Sequence, residues 1–341
     1  MNLDEVAKKA GVSTATVSRV LNNIDVVRSA TRARVIEAVA ALNYHPNLHA
    51  RSLAGGKSNT IGMIVSNLEN PFFLDVFHAL ESEAHERGFD VLIANTAYQP
   101  EQLTRSVQLM IGRRVAGLAV IVSEMDPGLI GLLNANQIPT VFYDVGVAGR
   151  TMSNIRADYR LGIEKVVGHL HGLGHKRLAF VGHHTALAPT NERESTFVKA
   201  VSRLGGDVQL RAVANQDGLD GGRLAARELF ESRFNPTAII CVNDLMAVGV
   251  LRELRERRLR VPGDVSVTGF DNIKLAEFSA PPLTTVHIPR DRIGRLVFRL
   301  LVPEGGGSPG ASGRELIIEP ELIVRESTGP APAPKRIRAK R

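Results

Sequence analysis

Apolar positions in the first 45 residues recur only at helical spacing. Val6, Ala7 and Ala10 mark one face, Val17, Val20 and Leu21 a second, and Val35, Ala38, Val39 and Leu42 a third. Recurrence at i, i+3, i+4 and i+7 marks amphipathic helices, so the pattern predicts a three-helix module. Thr31 is the expected N-cap of the third helix, its hydroxyl placed to accept from an unpaired backbone N–H. Pro46 closes the module, because proline cannot continue a helix and turns His45 toward extended angles. The next segment, NLHARSLA (47–54), runs into GGKSN, a flexible break.

From Thr60 the pattern changes to strand alternating with helix. Strand runs are TIGMIV (60–65), FDVLIA (89–94), GLAVIV (117–122) and PTVFYD (139–144), separated by helices at 72–87, 100–113 and 127–136. The theme restarts near residue 155, with a helix at 159–173, RLAFVG (177–182), a helix at 192–204, AIICVN (238–243), a helix at 244–258 and VSVTGF (265–270). Uninterrupted apolar strands between amphipathic helices predict parallel sheets covered on both faces. Two series of about 95 and 130 residues predict two doubly wound lobes in tandem, with ligands at the carboxyl ends of the strands. Residues 303–313 read as a surface loop before a late strand, RELIIE, and residues 329–341 as too proline-rich and charged to fold.

Composition adds bounds. The chain has 341 residues, 44% hydrophobic and 23% charged, ordinary for a soluble protein of two or three domains. No apolar run is long enough to span a bilayer, and MNLDEVAKKAGV lacks an apolar export segment, so the cytoplasm is the expected compartment. The single cysteine, Cys241, excludes an internal disulfide framework and a cysteine-based zinc module. The net charge of +7 sits at the ends: residues 1–60 hold 8 Lys/Arg against 4 Asp/Glu, and residues 330–341 hold 5 basic and no acidic residues. Basic ends on a nearly neutral body suit a polyanion, although basic tails are often merely solvated.

The strongest local signal is DEVAKKAGVSTATVSRVLN (4–22). One helix ends at Ala10, Gly11 turns, and Ser13 caps a second helix, which is helix-turn-helix grammar. With Val17, Val20 and Leu21 inward, Thr14, Ala15, Ser18, Arg19 and Asn22 face outward, where a major groove would lie. A small α-hairpin with a protein partner is the other reading.

Other motifs carry less. GGKS (55–58) lacks the earlier glycine of a phosphate loop, which would stand where Arg51 is. His169, His171, His175, His183 and His184 are expected in solvent. Gly172 and Gly174 break the helix that would align His171 with His175, and no carboxylate stands at ligand spacing. Cys241 reads as an inert buried thiol. With no nucleophile–base pair, metal set or cofactor motif, neither catalysis nor a cofactor is expected.

The ordered matches VAKKAGVSTATVSRVLN, TRARVIEAVAALNYHPNLHARSLAGGKSNTIGMIVSNLENPFF, HLHGLGHKRLAFVG, CVNDLMAVGVL, VSVTGFDN and PPLTTVHI resemble the LacI/GalR family of bacterial transcriptional regulators over roughly residues 3–327. The resemblance implies an α/β chain in four parts. An N-terminal all-α helix-turn-helix module (1–45) is followed by a hinge helix and linker (46–59). A two-lobed periplasmic-binding-protein-like body of doubly wound parallel sheets (60–327) binds effector and dimerises, and a disordered basic tail (328–341) ends the chain.

It also implies residue roles. Thr14, Ala15 and Arg19 match base-reading positions; arginine offers two donors to guanine, and alanine can contact a thymine methyl. Ser13, Thr16, Ser18, Asn22 and Thr31 match phosphate-holding positions. Leu53, with Ala54 beside it, matches a minor-groove wedge that kinks the duplex; an ordinary buried leucine is the alternative. Phe72, Phe73, Asn191, Arg193, Asn243 and Asp271 match effector-binding positions. The phenylalanines read equally as core, and Arg193 with Asp271 as an interlobe salt bridge. Two departures stand out: Thr196 replaces a usual glycine, and no aromatic is evident near Asp217, where some members stack one on the ligand.

The implied function is a sequence-specific DNA-binding regulator, a repressor, that binds a palindromic double-stranded operator as a homodimer and has no membrane partner. A small-molecule effector, a sugar or sugar derivative, controls it by population shift. The alternative is a two-lobed solute-binding protein without a regulatory role, against which the added basic helical module speaks. The last residues, ESTGPAPAPKRIRAKR, offer no leucine heptad for a tetramerising helix.

Overall fold

Three helices form where the apolar spacing places them: α1 (Leu3–Ala10), α2 (Thr14–Leu21) and α3 (Ser29–Ala41). α1 opens on a capping box, in which Asn2 Oδ1 accepts from Glu5 N at 3.0 Å and Asn2 N donates to Glu5 Oε2 at 3.2 Å. Gly11 ends it at φ +63°, a left-handed conformation that a Cβ disfavours. Ser13 Oγ then accepts from Thr16 N at 3.2 Å and starts α2. Val6, Ala7, Ala10, Val17, Val20, Val35 and Ala38 form one buried core, bordered by Leu21, Val39 and Leu42. One expectation fails here. Arg28, not Thr31, is the N-cap residue of α3, without a side-chain cap bond. Its carbonyl accepts from Thr31 N and Arg32 N at 3.0 Å each, so the ladder has begun before Thr31.

This computed structural model describes residues 2–21, 26–44, 58–122, 127–144, 152–183, 188–205, 207–303 and 313–333. The chain divides into two compact units, residues 1–58 and 59–341.

In the second unit the first lobe runs β1 (Thr60–Val65), α4 (Pro71–Glu86), β2 (Asp90–Asn95), α5 (Pro100–Gly112), β3 (Gly117–Ile121), α6 (Pro127–Ala135), β4 (Thr140–Tyr143) and β5 (Met152–Ala157). The second lobe runs α7 (Tyr159–Gly172), β6 (Arg177–His183), α8 (Ala188–Ser202), β7 (Gln209–Asn215), α9 (Leu219–Glu231), β8 (Ala238–Cys241), α10 (Asp244–Glu256), β9 (Ser266–Thr268), α11 (Lys274–Phe278) and β10 (Thr285–His287). The chain then returns to the first lobe as α12 (Arg290–Leu301) and β11 (Glu315–Ile318), before β12 (Glu321–Ile323) closes on the second.

Both sheets are parallel, as uninterrupted apolar strands require. Their orders are β11-β5-β4-β3-β1-β2 and β7-β6-β8-β9, with a small antiparallel pair, β10-β12. The lobes are therefore interleaved rather than in tandem. α12 is drawn back by its apolar face: Ile293, Val297, Phe298 and Leu301 are buried, and Gly294 lets its backbone come against Val76 of α4. Edge strand β11 pairs with β5 over Glu315↔Asn154 to Ile318↔Ala157.

The C-terminal boundary also moves. Residues 328–333, expected in the tail, continue a strap held on the second lobe. Ser327 Oγ donates to Val267 O at 2.6 Å, Gly329 N to Ser266 Oγ at 3.1 Å, and Ala331 N to Leu173 O at 2.8 Å. Backbone pairing with lobe edges orders this stretch despite its prolines. Residues 334–341 lie outside the described residues.

Candidate functional site

Two places collect the candidate residues, one in each unit. On α2, burial of Val17 and Val20 turns Ala15 and Arg19 to solvent, while Thr14, Thr16 and Ser18 are half-buried at the edges. Ser13 is exposed, its Oγ 3.0 Å from Thr16 Oγ1. Thr31 is half-buried in the first turn of α3. Asn22, Leu53 and Ala54 lie outside the described residues.

The second place is the cleft between the lobes, at the carboxyl ends of both sheets. Asn70 caps α4, its Oδ1 accepting from Phe72 N at 3.0 Å, and this fixes Phe72 and Phe73 at the cleft wall. Their rings meet edge to face at 5.4 Å, and Phe72 lies 5.8 Å from Tyr143. Arg193 NH1 donates to Val242 O at 2.8 Å. Its guanidinium lies over Tyr159 at 4.0 Å and Phe270 at 4.7 Å, two cation–π contacts with neighbouring rings. Asn243 caps α10: its Oδ1 accepts from Met246 N, and its Nδ2 donates to Asp217 Oδ1, both at 2.8 Å. Asp271 stands at φ +103°. Its backbone is held by Val286 O, which accepts from Asp271 N at 2.8 Å, and by Arg290, which donates to Asp271 O.

These groups enclose a cavity of about 50 Å³ lined by Phe72, Phe73, Arg193, Asn243 and Asp271, with Asn70, Tyr98, Tyr143, Asp144, Tyr159 and His183 completing its polar and aromatic wall. That is room for a few waters, so a larger ligand requires the lobes to part. Asn191 is exposed on α8 and does not line the cavity.

Burial dominates the electrostatics. Asp144 accepts from Ala157 N at 2.9 Å and from Tyr159 Oη. Burial nevertheless pushes its pKa to about 7, against the lowering effect of those bonds and of Arg193. Asp271 also reaches about 7, raised by burial, while Arg193 and Arg290 oppose and Asp217 and Asp144 add to the shift. Asp217 goes the other way. Burial raises it, but His183 and bonds from Tyr98 and Asn243 outweigh burial and leave it below the usual carboxylate range.

Sequence reasoning missed Tyr98, Tyr143, Asp144, Tyr159 and His183. The sequence around Asp217 holds no aromatic, but Tyr98, 119 positions away, donates to Asp217 Oδ2 at 2.5 Å, brought there by lobe apposition. One correction follows. The histidines are not all solvated. His183 is buried 5.8 Å from the Tyr98 ring. His175 is buried with Nε2 3.0 Å from Gly329 O, and His169 Nε2 lies 3.0 Å from Thr328 Oγ1. The C-terminal strap covers the last two. Cys241 is buried, as its strand run implied.

A family model described as bacterial regulatory proteins, lacI family, matches residues 2–47, and one described as periplasmic binding protein-like domain matches residues 167–328. The chain is 33% identical over 329 residues to the HTH-type transcriptional repressor PurR of Mannheimia succiniciproducens, covering 95% of this chain and 98% of that protein. It is 34% identical over 328 residues to PurR of Vibrio atlanticus, with the same coverage. Among solved structures, the Lac repressor dimer bound to operator and the anti-inducer ONPF superposes with a TM-score of 0.83 at 28% identity, over 96% of this chain and 99% of that one. The transcriptional regulator CelR in complex with cellobiose gives a TM-score of 0.71 at 29% identity, over 96% and 99%. A regulator from Enterococcus faecium with bound ribose gives 0.70 at 27%, over 80% and 99%.

Proposed function

The chain belongs to the lacI family of bacterial regulatory proteins, and we propose that it represses transcription by reading a two-fold operator with residues 2–44 while sensing a small molecule in the interlobe cleft. The observation that carries this reading is the outer face of α2. Ser13 caps the helix, Val17 and Val20 anchor it, and Ala15 and Arg19 stand exposed along one side. Arg19 and Ala15, with Thr14, read base edges, since a guanidinium can bind guanine O6 and N7 together. Ser13, Thr16, Ser18 and Thr31, together with Asn22, hold phosphates and set register. Leu53 and Ala54 act at the minor groove.

One such module reads only a few base pairs, so two copies related by two-fold symmetry bind a palindromic site. The effector is a sugar or sugar derivative held by Arg193, Asn243 and Asp271 against the Phe72 and Phe73 rings. It favours one lobe arrangement and thereby shifts operator affinity. Two relatives of the same fold, one in complex with cellobiose and one with bound ribose, support this class. The protein acts by binding rather than by catalysis, in the cytoplasm, where its DNA is. Among the described residues no helix is long and apolar enough to cross a membrane.

A gel shift with restriction fragments of bacterial genomic DNA tests the reading. Discrete fragments retained at a salt concentration that frees the bulk support it. Uniform retention, or none at any salt, overturns it.

A further inference from the structure

Asp271 lines the interlobe cavity, and its backbone carbonyl is gripped from the first lobe. The grip comes from Arg290, the first residue of α12, which the chain enters on leaving the second lobe at β10. Arg290 NH1 donates to Asp271 O and, at 3.3 Å, to Ile288 O, while NH2 donates to Asn272 O at 2.8 Å. Its Nε donates to Asp75 Oδ2 on α4 at 2.8 Å. A planar guanidinium presents its N–H groups in a fixed fork, so Asp75 at Nε sets the direction in which the other two nitrogens point. The Arg290 side chain is only 12% exposed, and water competes little for these bonds.

The two ends of this tie belong to different bodies. α12 packs on α4 in the first lobe, with the Gly294 backbone against Val76. Asp271 and Asn272 follow β9 in the second lobe. They stand at φ +103° and +54°, consecutive non-glycine residues in a conformation that persists only where the surroundings hold it. Asn272 N donates to Thr285 Oγ1 at 3.3 Å, and Arg325 NH2 donates to Asn272 Oδ1 at 2.8 Å. This corner is therefore fixed by its bonds rather than by its own backbone preference. Other contacts between the lobes are placed differently. Tyr98 and Asp217 meet across the mouth of the cleft. Arg156 and Glu192 approach only to 4.0 Å, with both side chains more than a third exposed, where solvent weakens an ion pair.

Resting on the reading of this cleft as the effector site, we propose that Arg290 is a positioning residue for regulation: aligned by Asp75, it ties the Asp271–Asn272 corner to α4 and carries a change at the cleft into the first lobe. α4 follows β1, the strand that opens this lobe directly after residues 1–58. Asp75 is the point at which the tie can be cut cleanly. Its side chain is 43% exposed, so the pair adds little to folding, and its loss is read in coupling rather than in stability.

The test titrates the full-length protein and its Asp75→Asn, Arg290→Lys and double variants with desalted bacterial metabolite extract, each bound to a fluorescent duplex selected from a random pool. The quantity read is the ratio of duplex affinities without and with saturating extract. The extract dose for half the response and the melting temperature are measured beside it. Asp75→Asn is expected to lower the ratio about threefold or more, the size of effect seen for residues along a coupling route, at the parent's half-response dose and melting temperature. The double variant is expected to lose no more than Arg290→Lys alone, because Asp75 acts only through Arg290. The parent's ratio in Asp75→Asn, or losses that multiply in the double variant, would overturn the proposal. So would a full ratio reached at a higher dose, which would mean that the pair merely shapes the cleft. No response in the parent, with duplex binding preserved, would overturn effector control itself and this proposal with it.

Discussion

The hydroxyl of Tyr98, from the loop after β2 in the first lobe, donates to Asp217 Oδ2 in the second lobe at 2.5 Å. Ala97 and Tyr98 both sit at positive φ, +50° and +60°, a conformation non-glycine residues keep only when their surroundings hold it. Asp217 is in turn fixed by Asn243. The bond is a latch across the mouth of the cleft. Tyr98→Phe removes the hydroxyl and keeps the ring against His183, so the lobes of the ligand-free protein are expected to part more readily. Small-angle X-ray scattering checks this: the variant should show a larger radius of gyration than the parent. Superimposable curves would dispose of the latch.

Asp144 makes the closed cleft pH-dependent. Its pKa is raised to about 7 from 3.8, so between those values the folded protein binds more protons than the unfolded chain. Stability from this group is then greatest below about pH 4 and declines as pH rises to about 7, at roughly 1.4 kcal/mol per unit of pKa difference. Asp144→Asn removes the titration. Its melting temperature relative to the parent is expected to be higher at pH 8 than at pH 5. A constant difference across that range would show that Asp144 is not held protonated by burial.

Arg19 is exposed on the outer face of α2, and in the proposed role it contacts a base edge. Arg19→Ala is expected to cost about 1–3 kcal/mol on the selected operator and to relax preference at one base pair per half-site. Binding to a panel of single-base operator variants measures both. Equal weakening on every sequence would make Arg19 a phosphate contact instead.

Leu53 is the lone large apolar side chain in HARSLAGGK, and in the proposed role it pries open a base step. Leu53→Ala should reduce operator bending in a circular-permutation gel, because the wedge rather than charge drives the kink. Unchanged bending with unchanged affinity would assign Leu53 to packing.

Periodicity revealed the strongly patterned elements and left others hidden. The helices α1 to α3, and strands such as β1, β3 and β8, follow from spacing and apolar runs that their burial explains. No element is predicted at α9, where LDGGRLAARELF carries two adjacent glycines, poor helix formers. In the structure Gly222 and Gly249 let α9 and α10 meet backbone to backbone, a Cβ on either falling about 2 Å from a carbonyl oxygen. β5 and β7, with Ser153, Asn154, Arg156 and Arg211 in them, lack the apolar run of a buried strand.

In the cleft, Asn243 and Asp271 were legible as cavity-lining residues because they follow strand ends, and Arg193, inside α8, only through the resemblance. Asp144, Tyr159 and Tyr98 were not, because they meet only when residues 15 to 119 positions apart are folded together. The return of α12 and β11 was equally invisible, since nothing local says which lobe an amphipathic helix will cover.

The central claim is that a molecule in the interlobe cleft sets the affinity of residues 2–44 for DNA. Operator affinity of the full chain and of its Asp271→Ala variant, each titrated by fluorescence anisotropy with and without desalted bacterial metabolite extract, tests it most directly. The account predicts equal affinity for both proteins without extract and a response to extract in the parent alone. Equal responses in parent and variant, or failure of the parent to prefer any selected duplex over random DNA, would contradict it.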